Sequence, residues 1–164
     1  MRRFIGTTLL VIGLIATETV TASAAPLPTC KSVDLGILVA REEGTAGTLY
    51  REIKFTMRSP GSCVLRGFPG VSYVDSTGAQ VGRAARRDGP TGDLITLTYG
   101  TSVSAVAGFT NPGNWDPETC RPQPVWGVRI YPPDEFVPLY IKFPDDVGCA
   151  GPVDALSTRA VHRS

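Results

Sequence analysis

Glu52-Ile53-Lys54-Phe55-Thr56-Met57-Arg58 decides the fold class. Its apolar side chains recur at every second position, between Glu52, Lys54 and Arg58. A period of two puts them on one face of a β-strand and the charges on the other. The same period continues outward from this stretch. Upstream, Val33, Leu35, Ile37 and Val39 alternate with Asp34 and Gly36. Downstream, residues 71–74, 80–84, 94–99 and 103–109 read as further short strands. Residues 125–131 set Trp126, Val128 and Ile130 against Arg129, and Leu139, Ile141 and Phe143 flank Tyr140 and Lys142 in the same manner. A last strand is expected between Leu156 and Val161.

The punctuation between these runs agrees. Phe68-Pro69-Gly70-Val71 suits a type II turn, proline presetting the first central position and glycine taking the positive φ of the second. Asp75-Ser76-Thr77-Gly78 suits a hairpin closed by a left-handed glycine. Gly44-Thr45-Ala46-Gly47 precedes a strand and not a helix, so no helix dipole is available for a phosphate; it reads as a flexible hairpin loop. Beyond the first 25 residues no stretch keeps helical spacing of apolar residues for three turns. The fold class expected is all-β: an immunoglobulin-like β-sandwich of about eight or nine short strands.

The N-terminus fixes where such a domain is expected to work. Arg2 and Arg3 precede a mostly apolar stretch from Phe4 to Ala16, followed by Thr21-Ala22-Ser23-Ala24-Ala25. A charged start, an apolar middle and a small-residue end form a secretory signal peptide, cut after Ala24 or Ala25. Its apolar part spans 13 residues, short of the ~20 that a membrane-crossing helix needs. No stable membrane anchor is expected after cleavage. The Arg2-Arg3 pair lacks the rest of a twin-arginine motif, and Leu27-Pro28-Thr29 before Cys30 does not fit a lipoprotein signal. Residues 1–25 are therefore read as a signal and residues 26–164 as a single β-sandwich domain, secreted to the extracellular space or the cell envelope.

Export turns the four cysteines into candidate disulfides. Cys30, Cys63, Cys120 and Cys149 allow three pairings, and spacing alone does not choose. Cys30–Cys63 with Cys120–Cys149 is preferred, since each bridge then ties sequence neighbours in one half of the chain. A zinc site is disfavoured by the absence of Cys-x-x-Cys and by the single histidine. No metal and no cofactor are expected.

Charge and chemistry exclude more than they assign. The chain has 16 basic and 15 acidic residues. Removing Arg2, Arg3 and Glu18 with the signal leaves 14 of each. Zero net charge argues against a nucleic-acid partner and against a surface lipid binder. The one histidine, His162, is third from the C-terminus, a poor place for the imidazole of a hydrolase triad. Ser102 and Ser104 read as solvated strand hydroxyls. Asp116 and Glu118, beside Trp115, and Asp134 and Glu135, after Pro132-Pro133, are loop acids read first as turn formers and only second as a glycosidase pair. Asp145 and Asp146 are too sparse for a calcium loop. No catalytic residue is assigned.

Two features stand as candidate ligand-binding surface. Trp115, within Asn111-Pro112-Gly113-Asn114-Trp115-Asp116-Pro117, either stacks on a sugar or caps the sandwich edge beside the Cys120 bridge; capping is preferred. Arg83, Arg86 and Arg87 either receive a carboxylate or phosphate or form a solvated hairpin tip, countered by Asp88 and Asp93; the hairpin tip is preferred.

Several segments taken together resemble a known family. They are Gly44-Thr45-Ala46-Gly47-Thr48-Leu49-Tyr50, Ser62-Cys63-Val64-Leu65-Arg66-Gly67-Phe68-Pro69-Gly70-Val71-Ser72-Tyr73 and Val81-Gly82-Arg83-Ala84-Ala85-Arg86. Thr119-Cys120-Arg121-Pro122 and Val128-Arg129-Ile130-Tyr131-Pro132-Pro133 complete the pattern. The chain resembles the exported actinobacterial family described as domain of unknown function 4232. That resemblance implies an extracellular or cell-envelope location and an immunoglobulin-like sandwich, and it brings no established activity. Met57 departs from it, standing where Asn is expected at a polar strand edge.

The function expected is that of a non-catalytic binding or structural module of the bacterial cell envelope, not an enzyme. Its partner would be an envelope glycan or another secreted protein. A carboxylate-dependent glycan hydrolase using Asp116 or Glu118, and a secreted protease inhibitor using the loop from Asn111 to Glu118, are the alternatives.

Overall fold

In the computed structural model, residues 25–164 are described. The signal assigned to residues 1–25 lies, except for Ala25, outside the described residues.

Among the described residues nearly all regular structure is strand. In order they are β1 (Leu35–Thr45), β2 (Thr48–Met57), β3 (Ser62–Leu65), β4 (Gly70–Val74), β5 (Gln80–Val81), β6 (Arg86–Arg87) and β7 (Ile95–Thr98). They continue as β8 (Ser102–Thr110), β9 (Pro122–Pro124), β10 (Gly127–Tyr131), β11 (Leu139–Lys142), β12 (Val147–Cys149), β13 (Leu156–Thr158) and β14 (His162–Arg163). Among the described residues the helical pieces are two 3-10 turns, Ser32–Asp34 and Pro112–Asn114, and one turn of α-helix, α1 (Pro117–Cys120).

A larger sheet runs β1-β2-β8-β13-β6, with β14 also paired to β8, and a four-stranded sheet runs β11-β10-β4-β5. β3 pairs with β7 and β9 with β12 in two small ribbons. β13 and β6 are parallel, whereas the neighbouring pair β13–β8 is antiparallel. The period of two explains the layering. Ile53, Phe55 and Met57 of β2 are buried. So are Val103, Ala105, Ala107 and Phe109 of β8, and Val128 and Ile130 of β10. Side chains from both larger sheets and from the β3–β7 ribbon meet in one hydrophobic cluster.

β1 and β2 form a long hairpin in which Leu35 faces Met57 and Ile37 faces Phe55. Its turn is Ala46-Gly47, with φ of +46° and +77°. Two positive φ values in a two-residue loop match the right-handed twist of the flanking strands. The strands pair through Thr45 and Thr48, so the expected loop shrinks to two residues.

The disulfides are Cys30–Cys63 and Cys120–Cys149. The first lies in the main core, where Cys30 follows the bridge from Thr29 to Val64. The second forms a small separate core with Val153 and Ala155. Gly151 closes over it, because a Cβ there would collide with the carbonyl oxygen of Thr119.

Several local expectations are corrected. Val33 belongs to a 3-10 turn and is exposed, because β1 begins only at Leu35. The run 80–84 pairs only at Gln80 and Val81. Arg86 and Arg87 are not a hairpin tip; they run parallel to Ser157 and Thr158. Met57 is 4% exposed and sits 3.6 Å from the Cys63 sulfur, a core position and not a polar edge. Ser104 is fully buried, its hydroxyl 2.8 Å from that of Ser164, and is not a solvated strand residue.

Candidate functional site

Arg51 is 4% exposed, the one charged residue buried as a whole among the described residues. Strand parity explains its position. Arg51 is in phase with Ile53, Phe55 and Met57, so the pleat turns it inward with them. Its guanidinium lies 3.8 Å from the ring centroid of Phe143 and 4.7 Å from that of Phe109. Nη1 and Nη2 donate to the two carboxylate oxygens of Asp146, and Nε donates to Glu42 at 2.7 Å. Burial works to lower the Arg51 pKa, yet the hydrogen bonds to Asp146 and Glu42 outweigh it and leave the pKa raised. A planar fork paired with a carboxylate and stacked on aromatic faces suits arginine and not lysine.

This cluster floors a cleft of about 630 Å³. The β1–β2 turn forms one wall, with Thr45 and Thr48; Thr110, Asn111 and Pro112 form another, and Asp145 to Val147 a third. The turn is tied down by Asn111 N and Asn114 Nδ2, which donate to the Gly47 carbonyl at 2.8 and 3.1 Å. Tyr73 reaches the floor from β4 and tilts against Phe109 at a centroid distance of 5.6 Å. Burial first, then the Asp146 charge, raise the Tyr73 pKa far above the ordinary phenol value, so its hydroxyl stays protonated. The cleft thus presents hydroxyls, an amide, the exposed Asp145 carboxylate and aromatic surface over a floor where Arg51 and Asp146 are paired with each other.

The residues singled out from sequence are dispersed. Trp115 packs against the Cys120–Cys149 core with Val153 and Ala155, the capping place. Its buried Nε1 has no hydrogen-bond partner among the described residues. Arg83 pairs with Asp154 at 3.1 Å, Arg86 lies 3.7 Å from Asp88, and Arg87 lies 5.9 Å from the Phe68 ring centroid. The three arginines therefore face different partners and form no common cradle. Asp116 caps α1, accepting from Glu118 N and Thr119 N at 3.0 and 3.1 Å. Glu135 accepts from Phe136 N, Val137 N and Ser32 N, and these bonds hold its pKa below the usual carboxylate range. His162 is exposed on β14. Among the described residues no group of three His, Cys, Asp or Glu side chains gathers as metal ligands do, and no helix is long and apolar enough to cross a membrane.

Sequence reasoning missed Arg51 and Tyr73 and dismissed Asp146. The available signal was parity: a charge in phase with buried strand residues announces a buried ion pair. No sequence signal named its partner, since Asp146 is 95 residues away.

Among curated proteins no match is found, and none among solved structures. The sequence pattern of one family matches residues 30–162, nearly all of the described chain. On that match the chain belongs to the family Domain of unknown function (DUF4232).

Proposed function

We propose that this is an exported, non-catalytic binding module of the bacterial cell envelope, folded as one immunoglobulin-like domain after loss of residues 1–25. Its cleft over Arg51 takes up a polar segment of an envelope glycan or of another secreted protein. Two disulfides among the described residues support export, because such bridges persist in oxidising compartments. The charged, apolar and small-residue order of residues 1–25 supports the same reading.

The observation that carries the reading is the paired floor of the cleft. Acid–base or nucleophilic chemistry requires a group whose proton or lone pair is free at the working pH. Here Arg51 is held charged by Asp146 and Glu42, and Tyr73 is held neutral. Such a floor supports orienting a ligand through walls of hydroxyl and amide groups, with the Asp145 carboxylate at the rim as one more acceptor.

Retention of the oxidised protein on isolated cell wall and on immobilised secreted proteins tests the proposal. Binding to one fraction is expected, weakened several-fold by Thr45→Trp, whose indole would fill the cleft. Absence of retention by both fractions, or retention indifferent to that substitution, would overturn it.

A further inference from the structure

A second concave site lies at the start of β10, and it shares no lining residue with the cleft over Arg51. Trp126 and Tyr140 meet there nearly at right angles, with ring centroids 6.4 Å apart and an interplanar angle of 78°. They open on a hollow of about 280 Å³ whose far wall is the Asp75-Ser76-Thr77-Gly78 turn. Tyr140 is 48% exposed, a large aromatic on a paired strand that the fold does not cover.

Both rings stand on fixed backbone. Trp126 N donates to the Val74 carbonyl at 2.8 Å, and the Trp126 carbonyl accepts from Phe143 N at 3.0 Å. Tyr140 faces Arg129 across the β10–β11 ladder. The turn opposite is equally determined. Asp75 Oδ1 accepts from Thr77 N, Thr77 Oγ1 and Ala79 N at 2.8, 2.7 and 3.0 Å. Its Oδ2 has no protein partner among the described residues. One ring face, a second ring edge-on to it, an open carboxylate oxygen and a serine hydroxyl therefore surround one hollow.

We infer that this corner is a saccharide-binding site taking a single uncharged pyranose of a glycan, stacked on Trp126 with its hydroxyls directed at the Asp75 turn. The physical argument is the pairing of surfaces. A pyranose has a face of C–H groups, which suits the negative face of an aromatic ring, and a rim of hydroxyls that both donate and accept. An ionised carboxylate accepts from such hydroxyls in short, charge-assisted bonds. Two aromatics and a carboxylate also describe a cage for an ammonium ion. Here Lys142 is in register with Gly127, next to Trp126, and Arg129 with Tyr140. Both cations therefore share the sheet face of Tyr140, which disfavours a cationic ligand beside the rings and leaves the neutral polyol.

The test uses the oxidised protein with three probes: the β-1,4-linked tetramers of glucose and of N-acetylglucosamine, and choline. The chain has two tryptophans, so the Trp126 indole N–H resonance is assigned by its loss in Trp126→Phe. A saccharide-dependent shift of that resonance, with no shift on adding choline, is expected. Trp126→Ala and Tyr140→Ala should each weaken the apparent affinity by about tenfold, and Tyr140→Phe should retain it. Tyr140→Ala keeps the test valid if Trp126→Ala unfolds, since Tyr140 is half exposed. No shift with either tetramer, a shift with choline, or saccharide binding indifferent to Tyr140→Ala would overturn the inference. Because Thr45→Trp fills only the other cleft, it should leave this binding unchanged, so the two readings fail separately.

Discussion

Arg51 on β2 and Asp146, 95 residues later in the segment before β12, are joined through both guanidinium Nη atoms and both carboxylate oxygens. The pair fastens the long β1–β2 hairpin to the far end of the chain, with Phe143 stacked on the same guanidinium. Breaking one side of such a buried pair strands a charge out of water, a larger loss than the pair's own net contribution. Asp146→Ala is therefore expected to cost about 3 kcal/mol in urea unfolding. Glu42 is 47% exposed at its side chain, so Glu42→Ala should cost less than about 1 kcal/mol. Equal losses would show that the Asp146 contact carries no special weight.

Glu135 gives the molecule an acid-sensitive joint. Its carboxylate accepts from Phe136 N, Val137 N and Ser32 N, and lies 3.8 Å from Lys31 Nζ. The folded-state pKa is depressed, first by the Phe136 bond. The resulting stability is present above the unfolded value of about 4.3 and is lost as pH falls through the folded value. Thermal unfolding of wild type and Glu135→Gln should differ at pH 7 and converge in acid. A constant gap at all pH values would remove the carboxylate from the account.

Tyr73 acts at the other end of the scale. Its folded pKa is raised, chiefly by burial, so its contribution is complete below the unfolded value of about 10. Above that value the unfolded chain releases the proton first, and stability falls as pH rises. Tyr73→Phe should lose less stability than wild type between pH 9 and 11. Identical alkaline slopes would contradict the placement of the hydroxyl.

The two disulfides close loops with sequence separations of 33 and 29. Removing either by a Cys→Ala pair should cost about 3–4 kcal/mol, chiefly by freeing the unfolded chain. Peptide mapping without reductant should return Cys30 with Cys63 and Cys120 with Cys149. Any crossed pair would refute the connectivity.

Phe136 is 88% exposed while its backbone is held by Glu135. Phe136→Ser is expected to leave the unfolding free energy within about 0.5 kcal/mol. Trp115→Ala should cost about 2–3 kcal/mol by opening the core around Cys120. It should leave saccharide binding intact, which separates that tryptophan from Trp126.

Alternation along residues 52–58 was enough to specify strands with one buried face, because a period of two is a property of the local backbone. Turn chemistry at Asp75–Gly78 was legible for the same reason, since positive φ is a demand on a single residue and Gly78 adopts it; at Phe68–Val71 it misled, because Gly70 opens β4 and the positive φ falls at Gly67. The very short strands were not legible. β6 exists because Arg86 and Arg87 lie beside β13, and β9 because Pro122 to Pro124 lie beside β12. Such pairings depend on partners distant in the chain and not on the residues' own pattern.

By itself the sequence determined an all-β chain with an apolar start, four cysteines and near-balanced charge, since each follows from residue type or short-range spacing. Tertiary structure alone decided that Arg51 meets Asp146, that Trp115 is spent on a small core, and that Trp126 and Tyr140 form a corner. Each of these joins side chains from separate segments of the chain. Long-range contact is set by how sheets pack, and packing depends on the whole chain at once.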